Sequence, residues 1–155
     1  MDKLYRKLLL CAATLVTVAG CASGPSYREM AGSIPTLSPQ NGRVYFFRSS
    51  SMVGAAMQPD IKLNGQTVGE STPGGFFYVD RPAGRYTVST ATETEKTLSL
   101  SLDAGETKYV RTSVSVGLLA GRVVPTLEDA AVAQKAIEGL SYAPLRAGDK
   151  GSKRQ

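Results

Sequence analysis

The sequence has no histidine and only two cysteines in 155 residues. Without imidazole, most Ser–His and Cys–His nucleophile pairs lack their base, and the commonest metal ligand is missing. There is no Gly-x-Ser-x-Gly elbow and no phosphate-cradling Gly-rich loop that leads into a helix. The two cysteines apart, only oxygen ligands are left for a metal, and the acidic residues do not fall at calcium-loop spacing. The expectation is therefore a non-enzyme with no metal and no cofactor. Glu93 and Glu95 form the single carboxylate pair worth weighing, because on a strand they would share a face about 7 Å apart, compatible with an inverting glycosidase. A solvated hairpin end explains them more simply.

Charge of one sign is also scarce where it would matter. The net charge of +5 divides between the first seven residues, which hold Lys3, Arg6 and Lys7 against Asp2, and the last ten, which hold four basic residues and one Asp. Residues 22–145 are balanced at 11 basic and 11 acidic. A pI set by the two termini gives no basic binding face, so nucleic acid is not an expected partner.

No apolar run is long enough to span a bilayer as a permanent helix; the longest, 8–19, follows the basic start and ends in Val18-Ala19-Gly20-Cys21. Small residues before the cysteine and a branched aliphatic at Val18 resemble the processing site of bacterial lipoproteins. That resemblance implies cleavage between Gly20 and Cys21, diacylglycerol on the Cys21 sulfur, and a fatty acyl group such as palmitate on the new amino terminus. Ala22, where an inner-membrane-retained lipoprotein carries Asp, implies the outer membrane and a periplasm-facing domain. Each buried methylene contributes about 0.8 kcal/mol, so several chains on one residue give stable anchoring. An ordinary secretory leader that happens to contain a cysteine, or a buried N-terminal helix, is the alternative. Removing residues 1–20 also removes Cys11, so the mature 135 residues have no disulfide and must fold on their core alone as one domain.

Residues 21–41, rich in Ser, Gly and Pro, read as the lipidated terminus and a flexible tether that would hold the domain roughly 25 Å from the lipid, with Ile34-Pro35-Thr36-Leu37 either docked on the domain edge or disordered with the rest. From 42 to 145 short apolar-alternating runs recur between Gly, Pro, Asn and Asp, the rhythm of an antiparallel β-sandwich. About seven strands are expected, with one C-terminal helix packed on one sheet. Residues 43–48 are apolar on both faces, which predicts a central strand covered on both sides. Asn64-Gly65 predicts a two-residue hairpin turn with Leu63 opposite Gln66 and Ile61 opposite Val68. Leu98, Leu100 and Leu102 alternate with Ser and Thr, and Asp103-Ala104-Gly105-Glu106 is read as turning that strand into a hairpin with 107–116. A helix is expected from about 127 to 140, capped by Thr126, with Leu127, Ala130, Ala133, Ile137 and Leu140 near one stripe. Residues 146–155 read as a disordered basic tail.

Gly42-Arg43-Val44-Tyr45-Phe46-Phe47-Arg48, Lys62-Leu63-Asn64-Gly65-Gln66-Thr67-Val68-Gly69, Gly75-Phe76-Phe77-Tyr78-Val79 and Pro82-Ala83-Gly84-Arg85-Tyr86 together resemble an uncharacterised bacterial lipoprotein family carrying a domain-of-unknown-function label, family 2846. The Leu-Asn-Gly hairpin followed by a Pro-Gly turn is also similar to surface-layer attachment modules, which are small β-sandwiches. The resemblance brings turn chemistry and no catalytic residues.

Two loops, 51–57 and 116–121, are more apolar than solvation requires; either they fold over the ends of the sandwich, or Met52, Val53, Met57, Leu118 and Leu119 are the candidate contacts for an envelope protein partner. A peptidoglycan or glycan module stacking sugars on Tyr45, Phe47, Phe77 or Tyr78 is the alternative. A weaker one is an accessory lipoprotein of a secretion or envelope assembly, similar in architecture to the lipoprotein of the type VI secretion membrane complex.

Overall fold

Tyr45, Phe46 and Phe47 are consecutive and all buried, which a strand permits only when both of its faces are covered. The computed structural model describes residues 21–118 and 121–145, and this strand, β1 (Asn41–Phe47), lies at its centre. Among the described residues eight further strands follow: β2 (Asp60–Leu63), β3 (Gln66–Glu70), β4 (Gly75–Pro82), β5 (Gly84–Ala91), β6 (Glu95–Leu102), β7 (Thr107–Val116), β8 (Gly121–Glu128) and β9 (Ser141–Tyr142). They form a five-stranded sheet in the order β8-β7-β1-β4-β9 and a four-stranded sheet in the order β3-β2-β5-β6. A four-residue helix α1 (Tyr27–Met30) precedes the strands, and α2 (Ala130–Ile137) lies between β8 and β9.

The fold is the expected mainly β sandwich with a C-terminal helix, with two more strands than expected, β8 and β9. Its inner core is formed by Val44, Phe46, Phe77 and Val110 of the larger sheet against Ile61, Leu63, Val68, Val88, Leu100 and Leu102 of the smaller. The outer face of the larger sheet buries a second cluster, in which Tyr45, Phe47, Phe76 and Tyr109 meet Ala133 and Ile137 of α2 and Leu140 beyond it. This second layer is why β1 is apolar on both sides.

Three sequence expectations about the strands and the helix need correction. Strands β6 and β7 do not form a hairpin; β6 pairs with β5, and β7 pairs in parallel with β1 and antiparallel with β8. The Asp103–Glu106 turn instead carries the chain from one sheet to the other, held by Glu106, whose carboxylate accepts the Asp103 N–H at 2.9 Å and whose carbonyl accepts the Arg43 N–H at 2.8 Å. The same turn chemistry serves both connections. Secondly, residues 121–128 extend the larger sheet, so Leu127 lies half-exposed on a strand and not on a helix. Pro125 is tolerated there because β8 is an edge strand. The helix starts at Ala130, capped by Asp129, whose side chain accepts the N–H groups of Ala131 and Val132. Thirdly, Asn64-Gly65 turns with positive φ at both residues, as expected, and Leu63 faces Gln66, but a bulge between Ile61 and Lys62 places Ile61 opposite Gly69. Ile61, Leu63 and Val68 still share the core.

The segment expected to be a flexible tether is docked. The Ala22 N–H donates to the Pro73 carbonyl at 3.3 Å, the Tyr27 N–H to Leu140 at 3.0 Å, and the Tyr142 N–H to Pro25 at 2.8 Å. Ser26 and Glu29 complete a capping box on α1, and Tyr27 packs edge-on against Phe76 with ring centres 5.5 Å apart. Small residues give no periodic apolar face, which is why they read as a linker; here their smallness permits contact. At Gly24 a Cβ would collide with the backbone carbonyl of Tyr142, so only glycine lets the two chains approach.

Candidate functional site

The parallel pairing of β1 with β7 sends both strands toward one end of the sandwich, and β4, β8 and β9 start there. Three connections gather at that end: residues 49–57 after β1, the turn 71–74 before β4, and the tip between β7 and β8. Arg48 organises the first two. Its buried guanidinium donates through Nη1 to the carbonyls of Met57 at 2.6 Å and Ser71 at 3.0 Å, and through Nη2 to that of Gly54 at 2.7 Å. Burial lowers the Arg48 pKa from its ordinary value, and the carbonyls replace part of the hydration it has lost.

The third connection joins through Met57. Its thioether lies over Gly121, where an added Cβ would meet Sδ at 2.9 Å, and beside Gly54 and Val114. Glu93, at the tip between β5 and β6, accepts the Leu118 N–H on both carboxylate oxygens, at 3.1 and 3.0 Å. The end thus has a tied backbone, yet it presents Met52, Val53, Val116 and Leu118 with 89%, 74%, 93% and 87% of their surfaces open to solvent. Among the described residues only two other large apolar side chains are exposed, Leu127 and Val132. Beside this surface lies a cleft of about 180 Å³ lined by Arg48, Ser49, Ser51, Val53, Thr112, Ser113 and Val114. It is smaller than the roughly 300 Å³ at which small-molecule pockets begin.

Cys21 stands at the same end, exposed and unpaired. Its neighbour Ala22 bonds to Pro73 and lies against Gly75, and Gly74 in turn lies against Ser50 of the 49–57 connection. Met52, Val53 and Leu118 are displayed as the sequence suggested, whereas Met57 is turned inward and organises the loop. Val116 joins them as the outward-facing last residue of β7. Gly20 and Leu119 lie outside the described residues.

The aromatic residues do not make a sugar platform. Tyr45, Phe47 and Phe77 are buried, and Tyr78 is partly covered by the Arg43 guanidinium, 4.6 Å from the ring centre. Tyr45 instead stacks on Tyr109 with ring centres 5.3 Å apart. Burial chiefly, with Tyr27 nearby and against the pull of Arg43, pushes the Tyr45 phenol up to about 12. Arg43 is held by both oxygens of Asp80, at 2.6 and 2.8 Å, and also donates to Pro35 of the docked segment at 2.9 Å. Glu93 is engaged by a backbone N–H, and Glu95 opens β6 on an exposed hairpin end. Among the described residues no three Cys, Asp or Glu side chains group to hold a metal ion, and no helix is long and apolar enough to cross a membrane.

The fold is a two-sheet sandwich with a closed aromatic back and one tied, apolar end. The chain belongs to the family described as proteins of unknown function DUF2846, which matches residues 38–123. It is similar to an uncharacterized protein of Haemophilus influenzae, 29% identical over 126 residues that cover 76% of this chain and 74% of the relative. No solved structure matches.

Proposed function

We propose that this protein is a lipid-anchored, non-catalytic contact domain of the bacterial cell envelope, held on the periplasmic leaflet of the outer membrane by diacylglycerol and a further acyl chain on Cys21. The observation that carries this reading is the position of Cys21: directly after Val18-Ala19-Gly20, exposed, and at the first residue of the docked chain. A lipid there meets no steric obstacle from the fold. The rest of the domain then faces the periplasm, where the open edge strands β8, β3 and β6 are available to another envelope protein.

Intact-mass analysis of the native polypeptide tests the anchor. The expected product begins at Cys21 and carries the added mass of one diacylglyceryl group and one further acyl chain; Cys21→Ser abolishes the modification. A free Cys21 thiol, or a different start site, overturns the reading. Crosslinking in whole cells, with mass identification of the captured protein, tests the partner; capture independent of Cys21 counts against membrane placement.

A further inference from the structure

We infer that the apolar end formed by Met52, Val53, Val116 and Leu118 rests on the lipid bilayer itself, so that the domain sits directly on the membrane in one orientation. This rests on the lipid-anchor reading and adds to it a second point of contact. The tether that would have separated the two is absent, because the chain is bonded to the domain from Ala22 onward. The lipid-bearing atom and the apolar surface therefore share one end of the sandwich. They are linked through Ala22 against Pro73 and Gly75, and Gly74 against Ser50.

A bilayer is the occupant that an acylated Cys21 brings to this surface without any further recognition. A protein partner would have to compete with the membrane already beside it. Four large apolar side chains held out by an ordered backbone, with Arg48 and Glu93 fixing the loops that bear them, match the shallow burial of an interfacial membrane contact. The opposite end, at the Asp103–Glu106 turn, lies about 30 Å away, the length of the ten-residue strand β7.

The chain contains no tryptophan, so a single introduced indole is a clean reporter. The test uses the mature lipidated protein, purified from membranes and reconstituted into phosphatidylglycerol–phosphatidylethanolamine vesicles whose acyl chains carry bromine quenchers. Met52→Trp, Leu118→Trp and, at the far turn, Ala104→Trp are all substitutions at exposed positions. Vesicle flotation together with about twofold quenching in Met52→Trp and Leu118→Trp, and none in Ala104→Trp, is the expected result for side chains some 5–10 Å below the headgroups. Flotation with equal fluorescence in all three variants overturns the inference while leaving the anchor intact. So does stronger quenching in Ala104→Trp. Failure of the lipidated protein to float overturns the anchor reading and the inference together.

Discussion

Replacing Arg48 by methionine keeps most of the side-chain volume and removes the charge that ties two connections together. Three donated hydrogen bonds are lost, to Met57, Gly54 and Ser71, and a hydrogen bond from a charged donor contributes about 1.5–3 kcal/mol. The gross loss is offset on two counts. Relief of the buried charge returns part of its desolvation cost, and the Gly54 and Met57 carbonyls lie in a partly exposed loop that water can reach. The Ser71 carbonyl is the one left dry. A net destabilisation of about 2–4 kcal/mol follows, a large share of the roughly 5–15 kcal/mol that holds a domain folded. For a chain of this size that lowers Tm by about 8–15 °C. Urea denaturation followed by circular dichroism measures it, with the midpoint falling and the slope unchanged. Amide exchange in residues 49–57 should rise at urea concentrations below the transition. Arg48→Lys should recover about half of the loss, since an ammonium satisfies fewer of the divergent carbonyls at once. A change below about 0.5 kcal/mol in Arg48→Met would refute the claim that this guanidinium organises the end of the sandwich.

Gly24→Ala should free the N-terminal segment by forcing it off Tyr142. The expected loss is about 1–2 kcal/mol, with faster exchange of the Tyr27 and Tyr142 amides; unchanged exchange would mean the docking is not backbone-limited. Asn64→Ala removes a residue suited to positive φ and the Oδ1 that accepts the Thr87 N–H at 2.8 Å, costing about 1–2 kcal/mol by urea midpoint, with Asn64→Gly costing less. Tyr45 sets an alkaline limit. Its folded pKa, pushed up to about 12, exceeds the unfolded value of about 10, so its contribution is intact below about pH 10 and is lost as pH rises through about 12. Tyr45→Phe should move the alkaline unfolding midpoint upward, and tyrosinate absorbance with circular dichroism would expose an unmoved midpoint.

The strands that were legible from sequence are those whose alternation and turns act locally. The Leu98–Leu102 alternation, the Asn64-Gly65 hairpin and the doubly apolar 43–48 run all carry their own signal. What was hidden depends on distant partners. A Gly-containing turn at Asp103–Glu106 looks the same whether it closes a hairpin or crosses between sheets. Strand β8 was masked by Pro125 and by acidic residues that look like a helix start, and β9 is two residues long. At the apolar end, excess hydrophobicity marked Met52, Val53 and Leu118, but their convergence beside Cys21 depends on the parallel β1–β7 pairing and on the close approach that Gly24 allows. Burial of Tyr45, Phe47 and Phe77 followed the general tendency of aromatics in a small sandwich.

The parallel pairing also governs when the chain can begin to fold. Arg43 aligns with Thr107, so the central strand must wait for a neighbour made much later, and its other partner, β4, does not close the inner core without the second sheet. Architectures dominated by such remote contacts collapse into native order slowly. Until Val110 and the rest of β7 leave the ribosome, the inner core lacks part of its partners, so its completion belongs to the second half of synthesis.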